Sequence, residues 1–438
     1  MESKMSAEKV AINELSQLKD ENDRLRKSIE DLWTINQLAR IISTTLPVNQ
    51  ILDKVVSGSV KAIGAAQGAI SLLDEKKTDD PFKTLVRKVN ETDFTKKYRL
   101  DQDLSGWMIK NRKALLINDF SKNTTLKGEH SAINKIHSIL SVPLLCKGNL
   151  IGVLSLFNKK NDREFSKNDQ RLLSIIASQS AQVIENARLY EQEKQLRQFE
   201  QELEMAQSIQ NRLLPKESPE IAGIDLAGIS YAAKEVGGDY FDFIELENGR
   251  WGIALGDVSG KGIPAALLMA NLQATLRNQA LNHSSLVECI EKANQFLYLN
   301  TESHKFATLF FGVLDSKTMN FNYINAGHNF PFHLLKDGEF RQLEIGGLVV
   351  GIAPDSAYNE GKVHLSSGEI IVIYSDGVTE AEDASETQFG EQRLQGIIKK
   401  NKNLNAQKIM SEIYKEVKEF QGGTEQDDDI TLIVMKAT

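Results

Sequence analysis

Carboxylates at the ends of apolar runs are the residues of this sequence best placed to do chemistry. The apolar run 251–256 leads into Asp257, the run 370–374 leads to Asp376, and Asp427-Asp428-Asp429 stands just before the run 430–435. Asp239 follows Gly237-Gly238 and lies close enough in sequence to Asp257 for the two to edge one cluster. Short apolar runs predict buried strands, and antiparallel pairing of those strands would bring all the acids to one edge of one sheet. Converging carboxylates repel one another unless protonated or bridged by cations, and hard divalent ions prefer oxygen ligands. The pattern therefore points to a two-metal site that hydrolyses a bond by activating water.

Each acid alone has a plainer explanation. Asp239 after two glycines and the dipeptide Asp376-Gly377 are ordinary turn compositions, and only their joint placement at strand ends selects metal binding. The stretch from Gly256 to Gly262 looks superficially like a nucleotide loop. Its spacing is one residue short and Gly262 stands where Ser or Thr is required, which excludes a P-loop. Lys261 reads as solvent-facing rather than directed at a substrate phosphate. His328 has no second His or Cys at ligand spacing and reads as a structural hydrogen-bonding residue. Glu380, Glu382 and Asp383 read as a solvated acidic loop.

The acids must be positioned by a folded unit over residues 218–438. Strands are predicted at 224–231, 251–255, 307–314, 320–325, 370–374 and 430–435, with helices at 264–281, 285–300 and 406–420. Pro264 suits the first turn of its helix. Strands in pairs with helices between them predict layered sheets covered by helices.

At 438 residues the chain exceeds one ordinary core, so further units precede this one. Residues 1–32 predict a coiled-coil helix: Leu15, Asn22 and Ile29 form one seam, continued by Asn36, and Leu18, Leu25 and Leu32 form its companion. Asparagines in such a seam fix register and favour a parallel dimer. Residues 33–186 predict a compact α+β module, with a helix at 38–63 and strands at 68–73, 113–117, 139–146 and 150–157. Lys147-Gly148-Asn149 forms a tight hairpin turn within it. Ser166 is an expected helix N-cap with Asp169 in the first turn. No Gly or Pro occurs from Ser166 to Leu214, so one continuous helix is expected, with 187–217 as a linker. Its seam changes near Leu189-Tyr190, from Ser180, Val183, Ala187 and Tyr190 to Leu189, Leu196, Leu203 and Gln210. Both a bistable signalling helix and a rigid spacer fit that pattern.

The formal charge of −8 disfavours broad nucleic-acid binding, and no apolar run is long enough to span a bilayer. No secretory signal is expected. Cys146 and Cys289 are the only cysteines, which excludes a disulfide framework and fits a reducing cytoplasm.

Two resemblances sharpen this reading. The tract Val142-Pro143-Leu144 to Gly152-Val153-Leu154, with Asn158-Lys159, Phe165 and Asp169, resembles the GAF domain family, although Gln170 replaces an expected acid. A GAF domain implies a small ligand or dimerisation; the ligand here is unknown, and those motif residues in many such domains simply brace the fold. The second resemblance rests on Val236-Gly237-Gly238-Asp239-Tyr240-Phe241, Gly256-Asp257-Val258-Ser259-Gly260-Lys261-Gly262, Asn325-Ala326-Gly327-His328-Asn329, Ser375-Asp376-Gly377 and Asp428-Asp429-Ile430-Thr431. In that order they are similar to the PPM metal-dependent protein phosphatases of the SpoIIE/RsbU branch. The resemblance implies an αββα sandwich, two Mn²⁺ or Mg²⁺ ions and hydrolysis of phosphoserine or phosphothreonine. By it, Asp257 would bridge the ions, and Asp239 and the Val258 carbonyl would hold one. Asp376 and Asp428 would hold the other, with Asp429 the alternative to Asp428. No residue stands out as a general acid. The expected substrates are phosphorylated STAS-domain antagonists of anti-sigma factors, and the expected assembly is a homodimer through the helical segments. The rival from another class is a non-catalytic scaffold that binds a phosphoprotein or a GAF ligand.

Overall fold

A computed structural model describes residues 18, 19, 21, 22, 46–73, 82–89, 102–119, 136–283, 285–302, 304–424 and 426–438. The predicted seam over residues 1–32 lies outside these apart from 18, 19, 21 and 22, as do residues 38–45 of the first expected helix. The chain divides into two units, residues 1–197 and 198–438.

In the first unit, helix α1 (Val48–Ile63) buries Ile51, Leu52, Val55, Val56, Val60 and Ile63, a stripe with the three-and-four spacing of one helix face. Gly64 ends it in the left-handed region at φ 73°, with its N–H bonded to the Val60 carbonyl. Strand β1 (Ala65–Leu73), β2 (Phe82–Val89), helix α2 (Gln102–Asn111), β3 (Leu115–Ile117), β4 (Ile139–Cys146) and β5 (Asn149–Lys159) follow. They form an antiparallel sheet in the order β2-β1-β5-β4-β3. The β4–β5 turn is the expected hairpin: Lys147 and Gly148 both have positive φ, 49° and 85°, which matches the twist of the flanking strands. Strand β2 and helix α2 have no counterpart in the sequence reading, because their apolar residues follow neither period over enough length.

Helix α3 (Lys167–Leu213) is the continuous helix expected between Ser166 and Leu214, and the boundary between the units falls inside it. Ser166 and Asp169 cap its start reciprocally: the Asp169 N–H donates to Ser166 Oγ at 3.1 Å, and the Ser166 N–H donates to Asp169 Oδ2 at 2.8 Å. Leu173, Ile176, Ala177, Ala181 and Ile184 of α3 share a core with α1 and one face of the sheet, while Met108 of α2 packs with Ile139, Val153 and Phe157. The GAF-like motif residues brace this fold. Lys159 Nζ lies 2.8 Å from Asp169 Oδ2 and 5.6 Å from the Phe165 ring centroid, and Asn158 Oδ1 accepts the His137 and Ser138 N–H groups.

The second unit contains β6 (Ile224–Tyr231), β7 (Tyr240–Glu245), β8 (Arg250–Val258), α4 (Ile263–Asn282), α5 (Leu286–Asn300), β9 (Ala307–Asp315), β10 (Asn320–Ala326), β11 (Phe332–Leu334), β12 (Phe340–Gln342), β13 (Gly346–Gly347), β14 (Gly361–His364), β15 (Ile370–Tyr374), the short α6 (Asp376–Thr379), α7 (Glu391–Lys400), α8 (Ala406–Gln421) and β16 (Ile430–Ala437). One sheet runs β13-β10-β9-β8-β7 with β14 beside β10; the other runs β12-β11-β15-β16-β6. Between the sheets lies a core of Phe241, Ile253, Phe310, Ile371, Ile433 and Met435. Alternate residues on the outer faces meet helices, Leu272 and Ile290 of α4 and α5 on one side, Ile398 and Ile413 of α7 and α8 on the other. This is the expected αββα sandwich. Among the described residues no helix is long and apolar enough to cross a membrane.

Candidate metal centre

The acids gather at one end of the sandwich, but not on one sheet as the strand reading expects. Asp239 precedes β7 and Asp257 ends β8, strands of one sheet whose Tyr240 and Gly256 are paired. Asp376 follows β15, and Asp428 and Asp429 precede β16, in the facing sheet, where Tyr374 pairs with Leu432. Antiparallel pairing puts each couple at a common strand end, as expected. The strands of the two couples belong to different sheets because β16 finds its other neighbour in the distant β6.

Electrostatics tie the acids together. Burial pushes the Asp239 carboxyl well above the usual carboxylate range, the negative charges of Asp257 and Asp429 add to this, and the Thr431 and Ser375 hydroxyls oppose it. Asp257 is pushed up to about 7 by burial and by Asp376, Asp428 and Asp429. Asp376 is raised by burial and Asp428, and Glu380 by burial and then Asp376 and Asp428. Glu380 is exposed, as the solvated-loop reading expects, and still lies near enough to Asp376 and Asp428 to feel their charge. Asp239 is 4% exposed, and its Oδ2 atom is buried without a hydrogen-bond partner. A buried carboxylate oxygen without a partner, facing like charges, is a donor set suited to a divalent cation, so these residues fit divalent metal. Among the described residues no three His, Cys, Asp or Glu side chains close on a single point as a ready-made cage.

The last aspartates divide in use. Asp429 accepts the Ala233 N–H at Oδ1 (2.7 Å), and its Oδ2 accepts Gly238 N–H at 2.6 Å and Asp239 N–H at 3.2 Å. Its Oδ2 therefore holds the glycine turn that carries Asp239, and its Oδ1 holds the chain just ahead of that turn. Any side chain on Gly237 would collide with that carboxylate, which explains the glycine. Asp428 is left half-exposed, with Oδ2 3.1 Å from Lys261 Nζ. Lys261 is solvent-facing, as expected, and also paired: it donates to the Asp427 carbonyl at 2.7 Å, and its hydrogen bond to Asp428 raises its pKa. The Val258 carbonyl oxygen lies 2.9 Å from where a Cβ on Gly238 would sit, so it points at the Asp239 turn. Ser375 Oγ accepts the Thr431 N–H at 2.9 Å and donates to the Asp429 carbonyl at 3.1 Å, locking the ends of β15 and β16.

A shallow cleft lined by Gly237, Gly238, Asp257, Lys261, Asp428 and Asp429 opens at this end. A roomier cleft of about 250 Å³ at Arg250, His283 and Cys289 contains none of the predicted acids. His328 is structural as read: it is buried, Nδ1 lies 2.8 Å from Thr308 Oγ1, and burial lowers its pKa to about 4. Gln210, expected only as a seam position within a stretch that resembles the family's entry helix, and Arg277, for which no role is expected, both engage the strand edge that carries Asp239. Gln210 bonds both backbone groups of Gly237, and Arg277 holds Asp242 with Nε–Oδ2 2.6 Å and Nη2–Oδ1 2.7 Å.

Both units are similar to known proteins. Residues 247–438 match the family model of stage II sporulation protein E (SpoIIE), and residues 45–185 match the GAF domain. Phosphoserine phosphatase RsbU of Bacillus subtilis is 33% identical over 253 residues, 56% of this chain and 74% of that protein. Protein IcfG of Synechocystis sp. is 32% identical over 261 residues, 53% of this chain and 41% of that protein. The solved SiaA-PP2C domain of Pseudomonas aeruginosa has the same fold, with a TM-score of 0.50 at 19% identity over 56% of this chain and 98% of that domain.

Proposed function

This chain belongs to the SpoIIE/RsbU family of PP2C-type, metal-dependent protein serine/threonine phosphatases, and from that premise we propose a signal-regulated phosphatase that takes phosphoserine or phosphothreonine from STAS-domain proteins. The observation that carries the reading is the buried, unpartnered Asp239 oxygen beside Asp257 and Asp429. Two Mn²⁺ or Mg²⁺ ions, when bound, would neutralise that charge and activate water for in-line attack on phosphorus. Asp257, central among the acids, is assigned to both ions. Asp239 and the Val258 carbonyl serve one ion, and Asp376 and Asp428 the other. Asp429 is reassigned from ligand to support, because backbone N–H groups already occupy both its oxygens. Lys261 holds Asp428 in place and limits its repulsion from Asp376.

The GAF domain is assigned to sensing an unidentified ligand or partner, and the helical segments to a homodimer working in the cytoplasm. The test compares phosphate release from a phosphorylated STAS protein and a generic phosphoserine peptide with Mn²⁺, for the wild type and Asp257→Ala. Release by the wild type alone, faster on the STAS protein, is expected. Equal rates for both proteins would overturn the metal assignment; binding of the phosphoprotein without release under any divalent ion would favour a scaffold.

A further inference from the structure

Gln210 stands in the last turn of α3, seven residues after Leu203, where the linker's seam calls for an apolar side chain. It is 8% exposed, and each end of its amide makes a hydrogen bond. Nε2 donates to the Gly237 carbonyl at 2.7 Å, and Oε1 accepts the Gly237 N–H at 3.1 Å. A primary amide presents a donor and an acceptor side by side, so it can pair with both backbone groups of one residue as a neighbouring strand would. Gly237 has no strand neighbour: it belongs to the turn before β7, and a side chain there would strike Asp429.

The turn Gly237-Gly238-Asp239 is therefore gripped on two sides. Asp429 takes the N–H groups of Gly238 and Asp239, and Gln210 takes both polar groups of Gly237. Glycines adopt many backbone conformations when released, and Asp239 needs an external hold to keep its carboxylate facing Asp257. One grip comes from the acidic tract itself. The other comes from the helix that leads into the unit.

We propose that Gln210 is a positioning residue for the metal site: by clamping Gly237 it sets the place of the Asp239 carboxylate, and so the affinity for the ion that Asp239 holds. The proposal rests on the phosphatase reading, whose metal assignment it deepens.

The test uses the full chain and three proteins: wild type, Gln210→Met, which keeps length but loses both bonds, and Gln207→Met, an exposed control on the same helix. Mn²⁺ binding is measured by calorimetry without substrate, thermal unfolding without metal, and phosphate release across a Mn²⁺ series. Gln210→Met should bind Mn²⁺ about tenfold more weakly, the scale on which groups that orient a metal ligand act. Its turnover should recover toward wild type at saturating Mn²⁺, whereas Gln207→Met should match wild type throughout. Unchanged Mn²⁺ affinity in a folded Gln210→Met, with only the unfolding temperature lowered, would overturn the proposal and leave a merely structural clamp. Should Gln210→Met fail to fold, Gln210→Glu, which keeps the acceptor for the Gly237 N–H, takes its place with the same two outcomes. A wild type that binds no Mn²⁺ would instead overturn the phosphatase reading itself.

Discussion

Asp239 and Asp242 stand three residues apart at one sheet edge, both almost wholly inaccessible, and are treated in opposite ways. Asp242 receives two guanidinium bonds from Arg277, the Tyr240 hydroxyl at 2.9 Å and the Phe243 N–H at 2.9 Å. Asp239 keeps one oxygen without a partner and faces two further carboxylates. A buried acid with matched donors and a cation is part of the framework. A buried acid surrounded by its own charge is destabilising as it stands, and persists because the surrounding structure holds it there for a ligand. On the proposed metal assignment, the contrast separates support from chemistry within four residues of chain.

Substitutions can sharpen that contrast or break it. Asp239→Asn should lower turnover on a phosphoserine substrate on the order of 10³-fold while the protein still folds, since it removes charge from where the reaction needs it. Asp239→Asn turning over at the wild-type rate would erase the distinction. Arg277→Met makes Asp242 resemble Asp239, a buried charge without its cation. Urea unfolding of the metal-free protein should show a loss of about 3 kcal/mol, at the low end for broken buried pairs because Arg277 is 44% exposed. A loss within error would mean the pair contributes nothing.

The mirror-image change has the opposite sign. In the absence of metal, Asp239→Asn should gain about 1 kcal/mol at pH 8, because it relieves an unmatched buried charge. A smaller effect follows from pH. The Asp239, Asp257 and Asp376 carboxyls are raised, so the folded state holds more protons than the unfolded chain between about pH 4 and about 7. Their contribution to stability is present at the acid end and lost as pH rises through that window. Metal-free wild type should therefore lose unfolding temperature relative to Asp257→Asn between pH 5 and pH 8. A wild type that gains on the variant over that range would reverse the sign and contradict the assignment of the charge.

The sequence made half of this contrast visible. Asp257 and Asp376 could be found because each follows an apolar run that predicts its own strand, and those strands are the observed β8 and β15. The long helix was equally legible from the absence of Gly and Pro. Sheet membership was not. β6 and β16 pair across about two hundred residues of sequence, with Ile430 opposite Tyr231, and no local period records such a partner. Short strands such as β11 and β12 are beneath the length at which alternation registers. The motif resemblance already favoured Asp428 over Asp429 as the ligand, but the backbone N–H groups that reach Asp429 could be known only from the fold. Gln210 did leave a trace, a polar side chain seven residues beyond Leu203 in an apolar seam, but its partner Gly237 could be known only from the fold.

Mn²⁺ titration of the wild-type chain by calorimetry at pH 7, in two buffers of different ionisation enthalpy, addresses the account most directly. Binding of two ions with release of protons is expected, because cations must displace protons retained by the raised carboxyls. No binding, or binding that releases no protons, would contradict a cation site built on Asp239 and Asp257.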